Sequence, residues 1–345
     1  MVHTALEALH ARHCALAPSE AAHRIRDRAR VLGATEEQLV AAGCGVDSIA
    51  LGATPQTVFR ALSTLGPVMA LTRNDGCVHE RHGRYEHIQT EGDIGIVLGP
   101  DIDLRMLFGY WRNAFAVAEK GRKSLQFFDR HGEAIHKVYR TAATDAKAWD
   151  ALIDRFATGC TALPAAEPLP DPVDTRAPRN ATALRRHWLA LKDTHEFSPM
   201  LRKFGVSRLG ALRAAGADLA QQVPCRTAEA VLTRAARDQL PIMCFVANRG
   251  IVQIHTGGVR RLVRTGPWFN VLDAAFNLHL NTQAIADCWV VNKPTRDDGW
   301  VTSLEVYAAS GELIVQFFGR RKPGEVELPA WRALLAGFCA TKLAA

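Results

Sequence analysis

Apolar and polar residues alternate in short stretches through the middle of each half of this chain. In the first half these are V-M-A-L-T from Val68, R-Y-E-H-I-Q from Arg84, G-I-V-L from Gly95 and L-Q-F-F from Leu125. Asn-Asp-Gly, His-Gly and Asp-Arg-His-Gly separate them. A period of two broken by such turn residues predicts antiparallel hairpins. Helical patterns flank the hairpins. In the second half Ser198-Pro199 reads as an N-cap with Pro at the first helical position, closed by Gly205, and Ser207 opens a further helix toward Gly216. A helix around Trp149 and another around Trp331 close the two halves. Helices grouped outside runs of hairpins predict an α+β fold rather than a doubly wound sheet.

The pattern repeats itself. P-V-M-A-L-T-R-N-D-G-C-V from Pro67 aligns with P-I-M-C-F-V-A-N-R-G-I-V from Pro241 at an offset of 174. At that offset Asp103-Leu104-Arg105 meets Asn277-Leu278-His279, and Phe115-Ala116-Val117 meets Trp289-Val290-Val291. The offset then grows to 179, where S-L-Q-F-F-D-R-H-G-E-A-I from Ser124 faces S-L-E-V-Y-A-A-S-G-E-L-I from Ser303. The added residues fall between Val291 and Ser303, and P-T-R-D-D-G from Pro294 reads as the turn that holds them. Ala148-Trp149 and Ala330-Trp331 match near the ends. So many ordered matches imply a tandem duplication of an antiparallel-sheet-plus-helices unit. The expected organisation is an N-terminal repeat over 1–160, a Pro-rich linker over 161–180 and a C-terminal repeat over 181–345.

Composition narrows the classes of function. With 345 residues and 48% apolar content the chain can bury two cores. The net charge of +7 suits acidic ligands, but no run of like charges or aromatic signature points to nucleic acid. No stretch is long and apolar enough to predict membrane insertion, and the N-terminus lacks the apolar core of a signal peptide. The eight cysteines are scattered, with no C-x-x-C pair, which predicts neither a zinc site nor a disulfide framework and suits a reducing cytoplasm. Walker, G-x-S-x-G, H-E-x-x-H and G-x-G-x-x-G signatures are absent.

The candidate chemistry lies in histidines and cations. His79, His82 and His87 cluster in one hairpin, which reads as a metal site or, more simply, as a solvated hairpin with His79 and His82 on opposite faces. His195 sits in W-L-A-L-K-D-T-H-E-F. If that segment is helical, Trp188, Leu191 and His195 share one face, and the imidazole is either an axial ligand or a core histidine bonded to a carbonyl. Arg208, Lys293 and Arg320-Arg321-Lys322 stand beside apolar strands. They read as ordinary surface charge or as partners for a flat apolar ligand with carboxylate tails.

Five motifs, in order, carry a resemblance: L-G-P-V-M-A-L-T-R-N-D-G-C-V-H-E-R-H-G-R-Y-E, D-I-D-L-R-M-L-F, D-T-H-E-F, K-F-G-V-S-R and V-Q-F-F-G-R-R-K-P-G. Over nearly its whole length the chain resembles the haemin-degrading factor family of HemS, ChuS and HmuS type. The resemblance implies a duplicated α+β unit that binds haem b. It implies His195 as iron ligand, Arg105 as the distal and catalytic residue, and Arg208, Lys293 and Arg320 at the propionates. Met243, Phe245 and Phe317 are implied along the porphyrin face, and Leu107 stands where some relatives carry a distal Phe. The implied activity is haem degradation that frees iron, with an external electron donor. The alternative is a carrier passing haem to a separate oxygenase. An inner-membrane haem transporter and a haem oxygenase are the implied partners. His23 aligns with His195, and His279 with Arg105, which raises a second haem site in the N-terminal half.

Overall fold

The computed structural model describes residues 2–17, 19, 24–160, 162–170, 176–296, 299–322 and 324–345. It is a mixed α+β chain whose strands pair antiparallel, and the duplication is visible strand by strand. Val68–Arg73 answers to Ile242–Ala247, Cys77–Gly83 to Ile251–Gly257, Ile88–Glu91 to Leu262–Thr265 and Ile94–Leu98 to Trp268–Leu272, all at the offset of 174. Ala134–Arg140 answers to Leu313–Gly319 at 179. The wider hairpin lies where the offset changes, between Asp287–Pro294 and Trp300–Tyr307. Among the described residues, no helix is long and apolar enough to cross a membrane.

Two compact units form, and neither is a continuous half of the chain. The first comprises 1–73, 80–170 and 248–253; the second comprises 74–79, 171–247 and 254–345. The two displaced segments, 74–79 and 248–253, are equivalent under the repeat, so each copy gives the other the same piece of itself. Both begin with an Asn-x-Gly turn. Asn74 donates from Nδ2 to the carbonyls of Ala247 (3.0 Å) and Ile314 (2.8 Å), while its Oδ1 accepts from Gly76 and Cys77. Asn248 does the same in the first unit, donating to Arg73 (3.0 Å) and Ile135 (2.8 Å) and accepting from Gly250. The glycines are set by close approach. A Cβ on Gly76 would come within 2.8 Å of Ile314, and one on Gly250 within 2.8 Å of Ile135.

In the first unit the strands run in the order Ala157–Thr158, Ser48–Leu51, Trp111–Glu119, Arg122–Asp129, Ala134–Arg140, Val68–Arg73. Ile88–Glu91, Ile94–Leu98 and Asp103–Leu107 form a further antiparallel set. Helix Ala146–Phe156, capped by Asp145, buries Trp149 in a core that also holds Phe59, Phe127 and Ile251 from the displaced segment. The second unit repeats the order with Ala220–Val223, Asp287–Pro294, Trp300–Tyr307, Leu313–Gly319 and Ile242–Ala247. One face of this sheet packs Cys244, Phe317, Leu304 and Val290 against Trp331 of helix Pro329–Ala336. The opposite face, toward Trp289 and Tyr307, is covered by helices Ala181–Leu189, Phe197–Phe204 and Arg208–Ala214.

Two local expectations shift. Gly205 does close its helix in the left-handed conformation and Ser207 does cap the next. The helix before them begins at Phe197, so Ser198 lies inside it and Pro199 in its first turn, where a missing N–H costs nothing. His79 is fully buried beside the Phe276 ring (5.0 Å, edge-on), which the reading of a solvated hairpin did not anticipate.

Candidate functional site

Helix Ala181–Leu189 stops at Ala190, and His195 sits in a separate short 3-10 turn, Thr194–Glu196. It therefore does not share the buried face of Trp188 and Leu191. Its side chain is 90% exposed. Asp193 precedes the turn in an extended conformation, and its Oδ1 accepts from the His195 backbone N–H (2.7 Å) and meets ring Nδ1 at 2.6 Å. The backbone N–H of His195, and then its ring, hold the Asp193 carboxyl below the usual carboxylate range. A carboxylate at Nδ1 selects the tautomer with the proton there. Nε2 is left with its lone pair outward and with no partner among the described residues. Arg321, just past strand Leu313–Gly319, is close enough to Asp193 to contribute to the same lowering, so this strand end lies near the His195 turn. Arg320 beside it is exposed, its backbone N–H bonded to Pro241.

The sheet face carrying Met243 and Phe245 belongs to the same unit. Met243 pairs with Phe318 and Phe245 with Gln316, so these four side chains share a face. Met243, Phe245 and Phe318 are half-buried, and the two phenylalanine rings meet edge-on at 5.1 Å. They form an apolar strip beside the helices. Phe317 does not belong to it: it pairs with Cys244, points to the opposite face and is fully buried in the core. The alternation of the strand places Phe318, not Phe317, on the face of the strip.

Between strip and helices lies a buried charge cluster centred on Glu305. Arg208 grips both carboxylate oxygens at 2.6 Å, and Lys293 Nζ donates to Oε1 at 2.9 Å. Tyr307 donates to Oε2 (2.5 Å), while Ser303 (3.1 Å) and Gln316 (3.0 Å) donate to Oε1. Phe197 stacks under both cations, at 4.9 Å from Arg208 and 4.7 Å from Lys293. Burial pushes the Glu305 carboxyl up, yet Arg208 and Lys293 outweigh it and hold it well below the ordinary range. Burial, with Arg208, brings Lys293 down to about 8 against the pull of Glu305. Two cations against one carboxylate leave the cluster one positive charge in excess while Lys293 is protonated. In so dry a place that excess attracts an anion. Arg208 is 22% exposed and Lys293 3%.

Arg105 lies in the first unit, on strand Asp103–Leu107, paired to Asp103 and to the carbonyl of Leu104. Its face is apolar and open: Ile96 pairs with Arg105 and Ile94 with Leu107, and Ile94 and Leu107 are about half exposed. His279, its equivalent in the second unit, is bonded through Nδ1 to Asn270 (2.7 Å). His23 lies outside the described residues. Sequence reasoning missed Asp193, Glu305 and Phe318. The D-x-H spacing contains the first; Glu305 sits in an ordinary strand pattern, and its main partners come from helix Arg208–Ala214 (Arg208), the neighbouring strand Asp287–Pro294 (Lys293) and its own strand (Tyr307).

Comparison with known proteins agrees with this architecture. A family model described as the haemin-degrading HemS.ChuX domain matches residues 33–156 and again 205–338, once in each copy. The hemin transport protein HemS of Yersinia enterocolitica is 40% identical over 318 residues, 90% of this chain and 91% of that protein. The crystal structure of apo-PhuS, a heme-binding protein from Pseudomonas aeruginosa, superposes with a TM-score of 0.93 at 43% identity, covering 97% of this chain and 100% of the other. The heme degrading enzyme ChuS of Escherichia coli O157:H7 superposes with a TM-score of 0.90 at 34% identity, covering 97% and 99%.

Proposed function

Because this chain belongs to the haemin-degrading HemS/ChuX-domain family, we propose that it binds haem b through His195 and degrades it to release iron in the cytoplasm. The observation that carries the reading is the exposed imidazole whose Nδ1 is engaged by Asp193 and whose Nε2 faces outward. That is the state in which a histidine ligates iron. The half-buried strip of Met243, Phe245 and Phe318 suits a porphyrin face, whose apolar burial dominates affinity. Arg320 is exposed and can meet a propionate, Arg208 has an exposed edge that can do so, and buried Lys293 acts through the excess charge it shares with Arg208. Arg105 is assigned the distal and catalytic role from the first unit. Haem supplies the redox chemistry, and the electrons come from an external donor.

The exposure of His195 favours a second reading: a carrier that takes haem from an inner-membrane transporter and passes it to a separate oxygenase, since ligation at an open site reverses readily. Haem titration followed by visible spectroscopy tests the shared premise. A Soret band of ligated haem is expected for the wild-type chain and its loss for His195→Ala; a wild-type spectrum in the variant removes His195 from the role. Adding a reductant with catalase present then separates the readings. Loss of the Soret band, slowed by Arg105→Ala, marks degradation, whereas a stable band that moves to an added acceptor protein marks a carrier.

A further inference from the structure

In the second unit the last residues of the chain lie in a groove between helix Pro329–Ala336 and the strands Ala220–Val223 and Asp287–Pro294. Gln221 clasps Thr341 with both ends of its amide (2.8 and 3.0 Å). The Ala344 carbonyl accepts from Asn292 (2.9 Å) and Arg332 (2.5 Å), and its N–H donates to the Asp218 carbonyl (3.0 Å). Leu343 is 6% exposed and completes the core. Four residues thus hold the tail: Asp218, Gln221, Asn292 and Arg332.

Under the repeat these four correspond to Val46, Ile49, Ala118 and Asp150 of the first unit. All four line one open cavity of about 470 Å³. Among the described residues the chain does not double back over this groove: helix Ala146–Phe156 runs directly into Ala157–Thr158, which pairs with Ser48–Leu51. Two features distinguish the groove. Trp149 lines it and is 1% exposed, and its indole N–H has no acceptor among the described residues; the equivalent Trp331 donates at 2.9 Å to the carbonyl of Thr302, on a strand of its own sheet and not on the tail. Val46 and Ile49 are 75% and 41% exposed, where their counterparts in the second unit engage the tail. An unpaired buried donor and open apolar side chains both cost free energy that an occupant would recover.

We propose that this groove of the first unit binds an extended peptide segment of a partner protein, one carrying an apolar side chain next to a basic one. The apolar residue takes the place that Leu343 holds in the other copy. The basic residue follows from the change of sign: where Arg332 reaches the tail, the first unit presents Asp150, with Asp154 one helical turn on and Lys123 as the cation of the opposite wall. Extended main chain supplies carbonyls that can satisfy the Trp149 donor.

The probe is a fluorescein-labelled peptide, Ala-Thr-Lys-Leu-Ala-Ala, copying residues 340–345, titrated into the full chain and followed by fluorescence anisotropy. Saturable binding is expected. Asp150→Lys combined with Asp154→Lys, both on the exposed side of the helix, is expected to weaken it at least about fivefold, as is Lys342→Glu within the peptide. The Trp149 indole ¹⁵N–¹H resonance, assigned through Trp149→Phe, is expected to move on titration. No saturation at millimolar peptide overturns the proposal. So does an affinity that the helix charge reversal leaves unchanged, which would mean that the peptide binds elsewhere, including in the tail's own groove.

Discussion

One carboxylate oxygen of Asp193 holds both the backbone and the ring of His195, and so fixes which ring nitrogen is available. Asp193→Asn can present an amide N–H to Nδ1 and favour the wrong tautomer. We expect haem affinity to fall by about 10- to 100-fold with the fold intact, read by titration beside His195→Ala. Equal affinity in Asp193→Asn and wild type would reduce Asp193 to a turn cap. Lys293 gives a second expectation at this scale. Below about pH 8 it is charged and the Glu305 cluster carries one excess positive charge; above, the ammonium loses its proton and the excess vanishes. Affinity for a ligand with carboxylate tails should therefore decline as pH rises through 8 to 9. Lys293→Met should flatten that part of the profile, and an unaltered profile in the variant would rule the cluster out as its source.

Strands and helices show why some of this was legible in sequence and some was not. Alternation and turn chemistry revealed the hairpins, and the repeated P-V-M/P-I-M strands align at the register the two copies adopt. Which of two adjacent phenylalanines faces outward is a harder question, because a slip of one residue exchanges the faces of a strand. Phe317 and Phe318 look alike in V-Q-F-F-G; only the pairing with Met243 and Cys244 separates them. Phe317→Ala should destabilise the fold by about 3–5 kcal/mol, measured by denaturant unfolding. Phe318→Ala should cost much less stability and instead weaken haem binding. The reverse pattern would place the ligand against the other face. The His195 turn was misread for a related reason: a periodic apolar pattern through Trp188 and Leu191 invites the helix to continue, while Asp193, by capping a new turn, ends that continuation.

At the level of the whole molecule the duplication was legible in sequence, and the exchange of 74–79 for 248–253 was not. An Asn-x-Gly turn satisfies the same local rules whether its strand joins its own copy or the other, and the partners that decide it, Ile314 and Ile135, are far away in sequence. Expressed alone, a chain ending near residue 165 would lack the carbonyl partners of Asn74, and a chain starting there would lack those of Asn248. Each is expected to be unstable singly, and the two to form a soluble complex when co-expressed, as judged by gel filtration and thermal melting. Independent folding of either half with native stability would contradict the exchange. Within the intact chain Asn248→Ala should cost about 1–3 kcal/mol, because it strips a donor from two backbone carbonyls at once.

The trade of these six residues also constrains how the two copies can age. A gene duplicated in tandem ordinarily leaves each descendant free to drift, but here a larger side chain at position 76 is tolerated only if position 314 shrinks, and one at 250 only if both 135 and 111 give way. Elsewhere the copies differ more freely: Glu305 answers to Gln126 under the repeat, and Asp150 stands where the second copy has Arg332. At such positions one copy can take up a role without its sibling having to follow.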